Sequence, residues 1–296
     1  MFGEPDGRTL PARVLDGARS IVGSNQRVRL QTLGGMSGAN VVRVSGPHGS
    51  VVAKGRVTVR ERAVYELFSD RLASHGIRIP RHYATVVEGG DVWLLLEDVP
   101  RPLPRQRWLA DDEIMAVLTR LHGLPIEDLS ILPDRFQPAW TEEMQRVALG
   151  WLPDAGLETT LAVLRREAAL LFAPRSVISG DPNPRNWGLT GDGELVLMDW
   201  ERIGLGHPAL DVAITMPGLP SPAEFERAAL AYRSSDGSEI SARRLMLAKL
   251  WTVVEFLAST ARWPVETAGD GPQQRRRETA SMVASLVSPW LADLTR

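Results

Sequence analysis

The chain has 296 residues, of which 44% are hydrophobic and 24% are charged. This composition predicts a folded protein of one large or two modest domains and excludes a disordered or fibrous chain. The net charge of -2 disfavours nucleic acid and anionic membranes as partners, and the absence of cysteine excludes disulfides, thiolate metal sites and cysteine nucleophiles.

The N-terminus lacks a basic region followed by an apolar stretch, and no apolar run approaches the ~18 residues of a membrane-spanning helix. We therefore expect a cytoplasmic protein. Among the 34 basic residues only Lys54 and Lys249 are lysines. A lysine kept against this preference for arginine indicates a chemical role, because a compact ammonium reaches places that a planar guanidinium cannot; chance is the alternative.

The first third of the chain is predicted to form a sheet. A helix is expected over residues 10–22, and a second helix over 58–74 interrupts the strands. Short apolar or alternating runs, separated by turn residues, predict strands at 28–33, 41–44, 50–53, 82–87 and 92–96. We expect an antiparallel sheet that carries one or two helices.

Three prolines within residues 99–104 predict an extended linker. We place the domain boundary there, with one lobe at residues 1–98 and another at 99–296. Beyond the boundary, helical patterns occupy 111–123, 139–152, 157–172, 221–233, 238–261 and 272–294, and one β-rich segment lies at 175–199. The predicted fold class is α+β.

The segment at residues 176–201 carries the most chemistry. An apolar strand leads to Asp181 in a proline-rich loop that Asn186 closes, and a hairpin follows. Pairing outward from its Gly-Asp-Gly turn brings Asn186 about opposite Asp199. An amide oxygen and a carboxylate facing one small volume suit Mg²⁺. The alternative is an Asx turn bonded to its own backbone, which would not need the second carboxylate.

Together with the stretch Gly-His-Pro-Ala-Leu-Asp at residues 206–211, these residues resemble the aminoglycoside phosphotransferase and choline kinase family, relatives of the protein kinases. The resemblance implies a two-lobed, protein-kinase-like fold. Residues 1–98 would form a small antiparallel-sheet lobe that binds nucleotide. Residues 99–296 would form a mainly helical lobe for catalysis and acceptor binding.

The same resemblance implies roles for individual residues. Asp181 would be the catalytic base, Asn186 and Asp199 the Mg²⁺ ligands, and Asp211 the brace of the catalytic loop. Ser179 stands where the family usually has the histidine of a His-Gly-Asp triplet. Because that histidine is mainly a bracing residue, the serine weakens the inference of activity without removing it.

A kinase-like small lobe also needs groups that hold phosphates. A turn containing Gly34, Gly35, Ser37 and Gly38 lies between two predicted strands, where its backbone N–H groups can approach phosphates. Glycine-rich hairpins are common, so this signal is weak alone. Lys54 ends an apolar strand and is the expected ligand of the α- and β-phosphates.

Lys54 requires an acidic partner on the helix that follows. On a helical wheel Glu61 lies at the edge of the buried face, whereas Glu66 points away, so we predict a Lys54–Glu61 ion pair. The last strand then runs into a hinge. By the resemblance, backbone groups between Glu97 and Val99 are expected to hold adenine.

The resemblance implies transfer of the γ-phosphoryl group of ATP, with GTP as an alternative and Mg²⁺ as cofactor, to a hydroxyl group of a small molecule. Acidic residues outnumber basic ones beyond residue 98, which favours an amine-bearing acceptor such as an aminoglycoside or another antibiotic. The candidate amine ligands, each with a solvated surface acid as its alternative, are Glu201, Glu255, Glu142 and Glu143.

Choline, ethanolamine and small sugars are the alternative acceptors. The serine at position 179 leaves open a nucleotide-binding pseudokinase or regulatory module. We expect a monomer or weak homodimer that binds neither nucleic acid nor a membrane.

Overall fold

A five-stranded antiparallel sheet forms the N-terminal part of the computed structural model. The structure describes residues 10–24, 27–33, 40–152, 154, 156–232, 237, 239–261 and 272–294. The strands are β1 (Arg29–Leu33), β2 (Asn40–Gly46), β3 (Gly49–Gly55), β4 (His82–Glu88) and β5 (Asp91–Glu97). Their order in the sheet is β1-β2-β3-β5-β4. The five predicted strands are confirmed.

The two faces of this sheet pack against different layers, because side chains alternate along each strand. Helix α1 (Ala12–Ile21) covers one face, where Val51 and Ala53 of β3 are fully buried. Lys54 follows Ala53 and therefore belongs to the opposite face. There it meets the helical segment formed by α2 (Val59–Ala63), a π turn and α3 (Ser69–Ser74).

The helix predicted at 58–74 has the expected extent, but its middle, Val64–Phe68, is a π-helical turn. Tyr65 is buried, whereas Leu67, which a helical wheel places between the buried Ala63 and Val64, is 53% exposed. A π turn contains more residues than an α turn, so it changes the direction of each side chain within it. A wheel with 3.6 residues per turn therefore does not apply across this segment.

Helices dominate the rest of the chain. They are α4 (Asp112–His122), α5 (Glu142–Leu149), α6 (Leu157–Glu167), α7 (Ala209–Thr215), α8 (Pro222–Ala231), α9 (Ala242–Ala261) and α10 (Pro272–Leu294). The sequence did not predict α7. Most of its residues are buried, so it lacks the one-sided apolar pattern by which a surface helix is recognised. Among the described helices, none is long and apolar enough to cross a membrane.

The second lobe also contains short strands. They are β6 (Arg101–Pro102), β7 (Ser176–Ile178), β8 (Trp187–Leu189), β9 (Leu195–Leu197) and β10 (Gly204–Gly206). The pair β7–β10 is antiparallel, and β8 pairs with both β9 and β6. The proline-rich linker is therefore extended, as predicted, and part of it joins the sheet of the second lobe. The domain boundary at 98–99 stays a prediction.

Two clusters of buried apolar side chains hold these layers together. The smaller lies between α1 and the sheet, and the larger continues from the other face of the sheet and from α2–α3 into the C-terminal helices. The face of the sheet that carries Lys54 thus belongs to the same core as the C-terminal lobe. The α+β fold with an antiparallel N-terminal sheet and a helical C-terminal lobe is as predicted.

Candidate active site

Lys54 makes two ion pairs, one with Glu61 in its own lobe and one with Asp199 of the helical lobe. Its Nζ lies 2.6 Å from Glu61 Oε1 and 3.0 Å from Asp199 Oδ1. Thr58 caps α2 by accepting a hydrogen bond from the Glu61 N–H at 3.1 Å, which fixes Glu61 in the first helical turn. The short connection from Lys54 to this turn therefore suffices to place the two side chains together.

Burial and charge act against each other at this cluster. Burial raises the pKa of Glu61 to about 7, although Lys54 opposes the rise, and the charge of Asp199 adds to it. Burial alone would lower the pKa of Lys54, but Glu61 and Asp199 raise it above its ordinary value. The ammonium is therefore charged. One carboxylate oxygen of Glu61, Oε2, is buried without a hydrogen-bond partner among the described residues.

The β8–β9 hairpin delivers Asp199 to this cluster with a register that differs slightly from the prediction. Trp187 pairs with Leu197, so Asn186 lies opposite Met198 rather than Asp199. The Met198 N–H accordingly donates to the Asn186 carbonyl oxygen at 2.7 Å. Asp199 then turns out of the strand with a left-handed φ of 62°, which is uncommon for a residue other than glycine. This bend redirects its carboxylate towards Lys54.

Asp181 and Asn186 are close together in the preceding loop. The Asn186 amide nitrogen donates to the backbone oxygen of Asp181 at 2.9 Å and to its carboxylate at 3.2 Å. Both contacts use the amide nitrogen of Asn186, so they leave its amide oxygen available to a cation. Burial raises the pKa of Asp181 to about 6, Arg202 opposes the rise, and Asp199 and Glu201 add to it.

Asp211 on α7 holds the backbone just before Asp181. One carboxylate oxygen accepts from the Ser179 N–H at 2.7 Å, and the other accepts from the Gly180 N–H at 2.9 Å. Gly180 has a φ of 77°, and a Cβ there would lie 2.2 Å from the backbone oxygen of Arg202. Only glycine fits this position.

The expected nucleotide residues are in part already engaged. The Glu97 carboxylate accepts from Arg78 at 2.6 Å and from the Arg81 N–H at 2.9 Å, while the Glu97 N–H donates to the Arg81 carbonyl at 2.8 Å. Val99 packs directly on β8, because a Cβ at Gly188 would lie 2.6 Å from Val99 Cγ1. The predicted glycine-rich turn at Gly34, Gly35, Ser37 and Gly38 lies outside the described residues.

The four acids expected to bind an amine have different surroundings. Both carboxylate oxygens of Glu255 accept from Arg202 Nη2, each at 2.7 Å. Two others are paired on the exposed surface, Glu142 with Arg165 and Glu143 with Arg146. Glu255 is thus not a bare carboxylate, because Arg202 neutralises it across 53 residues of sequence. Spacing along the chain gave no sign of this partner.

Glu201 lies with the metal candidates. One ligand atom each from Glu61, Asp199 and Glu201 all fall within 4.8 Å of one another. Burial raises the pKa of Glu201, and Asp199 raises it further. The charges of Lys54, Arg202 and Arg60 oppose this rise, and the three carboxylates share one small volume. Carboxylate oxygens are the ligands that a hard divalent cation such as Mg²⁺ prefers, so this donor set fits such an ion.

Sequence reasoning missed two arginines at the site. Arg202 stacks on Phe136 at 4.3 Å and is the positive charge that acts on Asp181. Arg60 crosses between the lobes, because it donates to the Glu201 backbone oxygen at 2.7 Å and pairs with Asp134. Neither stands out in a chain with so many arginines, although Arg60 is the immediate neighbour of Glu61.

The comparisons with known proteins agree with the sequence resemblance. The profile of the phosphotransferase enzyme family (APH) matches residues 23–246. No curated protein matches the sequence significantly.

Solved structures share the fold at low identity. Choline kinase LicA from Streptococcus pneumoniae is 18% identical, with a TM-score of 0.58 over 90% of this chain and 97% of that one. A macrolide 2'-phosphotransferase from Brachybacterium faecium is 16% identical, with a TM-score of 0.59 over 90% and 98%. Spectinomycin phosphotransferase, solved with ADP and spectinomycin, is 12% identical, with a TM-score of 0.60 over 90% and 93%.

Proposed function

The chain belongs to the phosphotransferase enzyme family, and we propose that it transfers the γ-phosphoryl group of ATP to a hydroxyl group of a small molecule. One observation carries the proposal. Lys54 from the sheet and Asp199 from the helical lobe meet at 3.0 Å. The loop of Asp181 adjoins them through the pairing of Asn186 with Met198. A cation, a metal-binding acid and a base are thus grouped where the two lobes meet.

On this proposal Lys54 contacts the α- and β-phosphates, and Glu61 holds its ammonium in place. Gly34, Gly35, Ser37 and Gly38 cover the phosphates with backbone N–H groups, and Ser37 adds a hydroxyl donor. In the hinge the Glu97 N–H is already bonded to Arg81, so the proposed adenine ligands are the other backbone groups from Glu97 to Val99. The ADP bound to spectinomycin phosphotransferase supports ATP as donor, with GTP as an alternative.

Asn186 and Asp199 are the proposed ligands of Mg²⁺, and Glu201 is a third candidate because its carboxylate belongs to the same cluster. A bound Mg²⁺ would neutralise charge on the β- and γ-phosphate oxygens. Asp181 orients the acceptor hydroxyl and takes its proton late in the reaction. A loose phosphoryl-transfer transition state depends on position and electrostatics more than on a strong base.

An amine-bearing acceptor, an aminoglycoside or another antibiotic, is the first candidate. The acidic excess of the helical lobe supports it, as do relatives that act on macrolides and spectinomycin. If Glu255 contacts the amine, it does so as part of the Arg202 pair, and Glu201 does so beside the metal. Choline, ethanolamine and sugars are the alternative acceptors. The choline kinase among the solved structures supports choline.

The test is an ATP-consumption screen with the purified chain. The panel contains aminoglycosides, macrolides, spectinomycin, choline, ethanolamine and small sugars, and ADP release is measured with Mg²⁺ and again with EDTA. We expect Mg²⁺-dependent ADP release with at least one acceptor and its loss in Asp181→Asn. Tight ATP binding without turnover on any acceptor would instead identify a nucleotide-binding module, the alternative raised by Ser179.

A further inference from the structure

A chain of buried polar groups lies beneath the loop that carries Asp181. The Tyr232 hydroxyl is 2.8 Å from His122 Nδ1, and His122 Nε2 is 3.1 Å from Asp211 Oδ2. The same Asp211 oxygen accepts from the Ser179 N–H, and its partner oxygen accepts from the Gly180 N–H. Tyr232, His122, Asp211, Ser179 and Gly180 are all buried. His122 takes no part in the mechanism proposed above.

The chemistry of the partners fixes the protons in this chain. A carboxylate accepts only, so His122 carries a proton on Nε2 and donates it to Asp211. Nδ1 then accepts from the Tyr232 hydroxyl. Both ring nitrogens are occupied, and the ring can take only one orientation. His122 therefore fixes the orientation of the Asp211 carboxylate.

Residue 179 gives the loop no support through its side chain. Ser179 Oγ is buried and has no hydrogen-bond partner within the described part of the chain. The turn is instead held by its backbone, because the N–H groups of Ser179 and Gly180 both donate to Asp211. The position of Asp181, the next residue, depends on how rigidly Asp211 is held.

We propose that His122, oriented by Tyr232, is a positioning residue for phosphoryl transfer. It acts through Asp211 on the backbone of Ser179 and Gly180, and so sets where the Asp181 carboxylate lies. The role of His122 in phosphoryl transfer rests on the proposed function, whereas its support of the loop does not. The bracing itself can be measured without any acceptor.

If His122 only filled space in the core, its substitution would lower stability but would not change the loop that carries Asp181. The structure separates the two roles, because α7 has a second anchor. Lys249 on α9 donates to the carbonyl oxygens of Ala213 and Met216 at 3.3 and 2.5 Å, at the C-terminal end of α7. Loss of the His122 bond should therefore leave α7 docked and free only the carboxylate of Asp211.

The experiment compares three substitutions in the full-length chain. His122→Leu removes the donor, His122→Gln keeps an N–H that can reach Asp211, and Ser179→Ala removes the unpartnered hydroxyl of the same loop as a matched control. Hydrogen exchange is followed in peptides covering residues 176–186 and, as a reference, residues 40–55. Tyr232→Phe is measured in parallel and replaces His122→Leu if that variant does not fold.

We expect the loop peptide to exchange about tenfold faster in His122→Leu, with recovery in His122→Gln and no change in Ser179→Ala or in the reference peptide. In the acceptor assay, kcat should fall about 10- to 100-fold in His122→Leu, because small misplacements of a catalytic group are costly. The ATP Kd and the acceptor KM should change less than about threefold.

Unchanged exchange in the loop peptide would overturn the proposal. So would equal losses in His122→Leu and His122→Gln, or parallel losses of kcat and ATP affinity. If the wild-type chain turns over no acceptor, the proposed function fails separately. The exchange data then still decide whether His122 braces the loop.

Discussion

Two polar regions of the molecule differ in how well their groups are satisfied. Two carboxylates, those of Glu61 and Asp199, pair with the Lys54 ammonium, and the Glu201 carboxylate lies beside them. Glu61 Oε2 lacks a partner among the described residues, and burial raises the pKa of Glu61 to about 7. Around Asp211, three N–H donors meet one buried carboxylate. The region around Lys54 therefore has an acceptor atom without a donor, whereas both oxygens of the Asp211 carboxylate accept hydrogen bonds.

The difference indicates that the region around Lys54 binds a ligand, whereas the region around Asp211 supports the loop that carries Asp181. Buried polar groups without partners cost free energy, and an unpartnered carboxylate oxygen next to further carboxylates indicates a site that a cation completes. A buried carboxylate with several donors is rigid and needs no ligand. We therefore expect substitutions in the cleft to affect catalysis and nucleotide binding, and substitutions in polar groups that are already satisfied to affect geometry and stability.

Replacing Asp181 should have the largest effect on the cleft side. Asp181→Asn keeps the size and the contact with Asn186 but removes the base, so kcat should fall about 10³-fold, within the range known for general bases. ATP affinity should change less than about threefold, because Lys54 and Asp199 are untouched. Steady-state kinetics and calorimetric ATP titration measure the two effects.

A comparable loss of ATP affinity in Asp181→Asn would break the distinction, because Asp181 would then be a nucleotide ligand.

The next largest effect is expected at Lys54. Lys54→Met should lower kcat/KM for ATP roughly 10²-fold, because a preorganised charge on the phosphates is lost. Lys54→Arg is the matched control and should restore little of the loss, since the planar guanidinium does not fit the position between Glu61 and Asp199. Full activity in Lys54→Arg would show that the lysine has no special role.

Lys249 sharpens the comparison, because it is a buried ammonium with no role in the cleft. Burial lowers its pKa to about 8 from 10.5. The unfolded chain then binds more protons than the folded one between these values, so this group makes stability rise with pH across the interval. Its contribution should be about 3 kcal/mol between pH 8 and pH 10.5. Urea unfolding of the wild type and Lys249→Met measures it.

The pH-dependent rise in stability should be smaller in Lys249→Met by that amount. The same slope in both proteins would mean that Lys249 is not the group that titrates.

The smallest effect is expected at Ser179. Because its hydroxyl is buried without a described partner, Ser179→Ala should not lower stability and should raise it by less than about 1 kcal/mol. Thr190→Val is the contrasting variant. Its hydroxyl accepts from the Glu194 N–H at 2.9 Å and donates to Asp192 at 2.5 Å, so its loss should cost about 1 kcal/mol. Thermal unfolding of both variants checks the difference.

Much of the cleft was predictable from the sequence, for physical reasons. Lys54 and Glu61 belong to adjacent local elements, so strand alternation and a helical wheel place them on facing surfaces. The hairpin brings Asp199 near Asn186 because its turn is short. The exact register and the left-handed bend at Asp199 were not readable, since both depend on the surrounding packing.

Other features depend on contacts between distant segments. Arg202 pairs with Glu255, one of the expected amine ligands, and helix α7 lacks an amphipathic pattern because its surroundings bury most of it. The link from Tyr232 through His122 to Asp211 joins three helical regions. Local periodicity carries no information on such partners.

The most direct test of the central claim is the release of ADP from ATP by the purified chain across the acceptor panel. We predict Mg²⁺-dependent release with at least one hydroxyl-bearing acceptor, abolished by EDTA and reduced about 10³-fold by Asp181→Asn. Turnover that survives in Asp181→Asn, or firm binding of ATP with no ADP formed on any acceptor, would contradict the account.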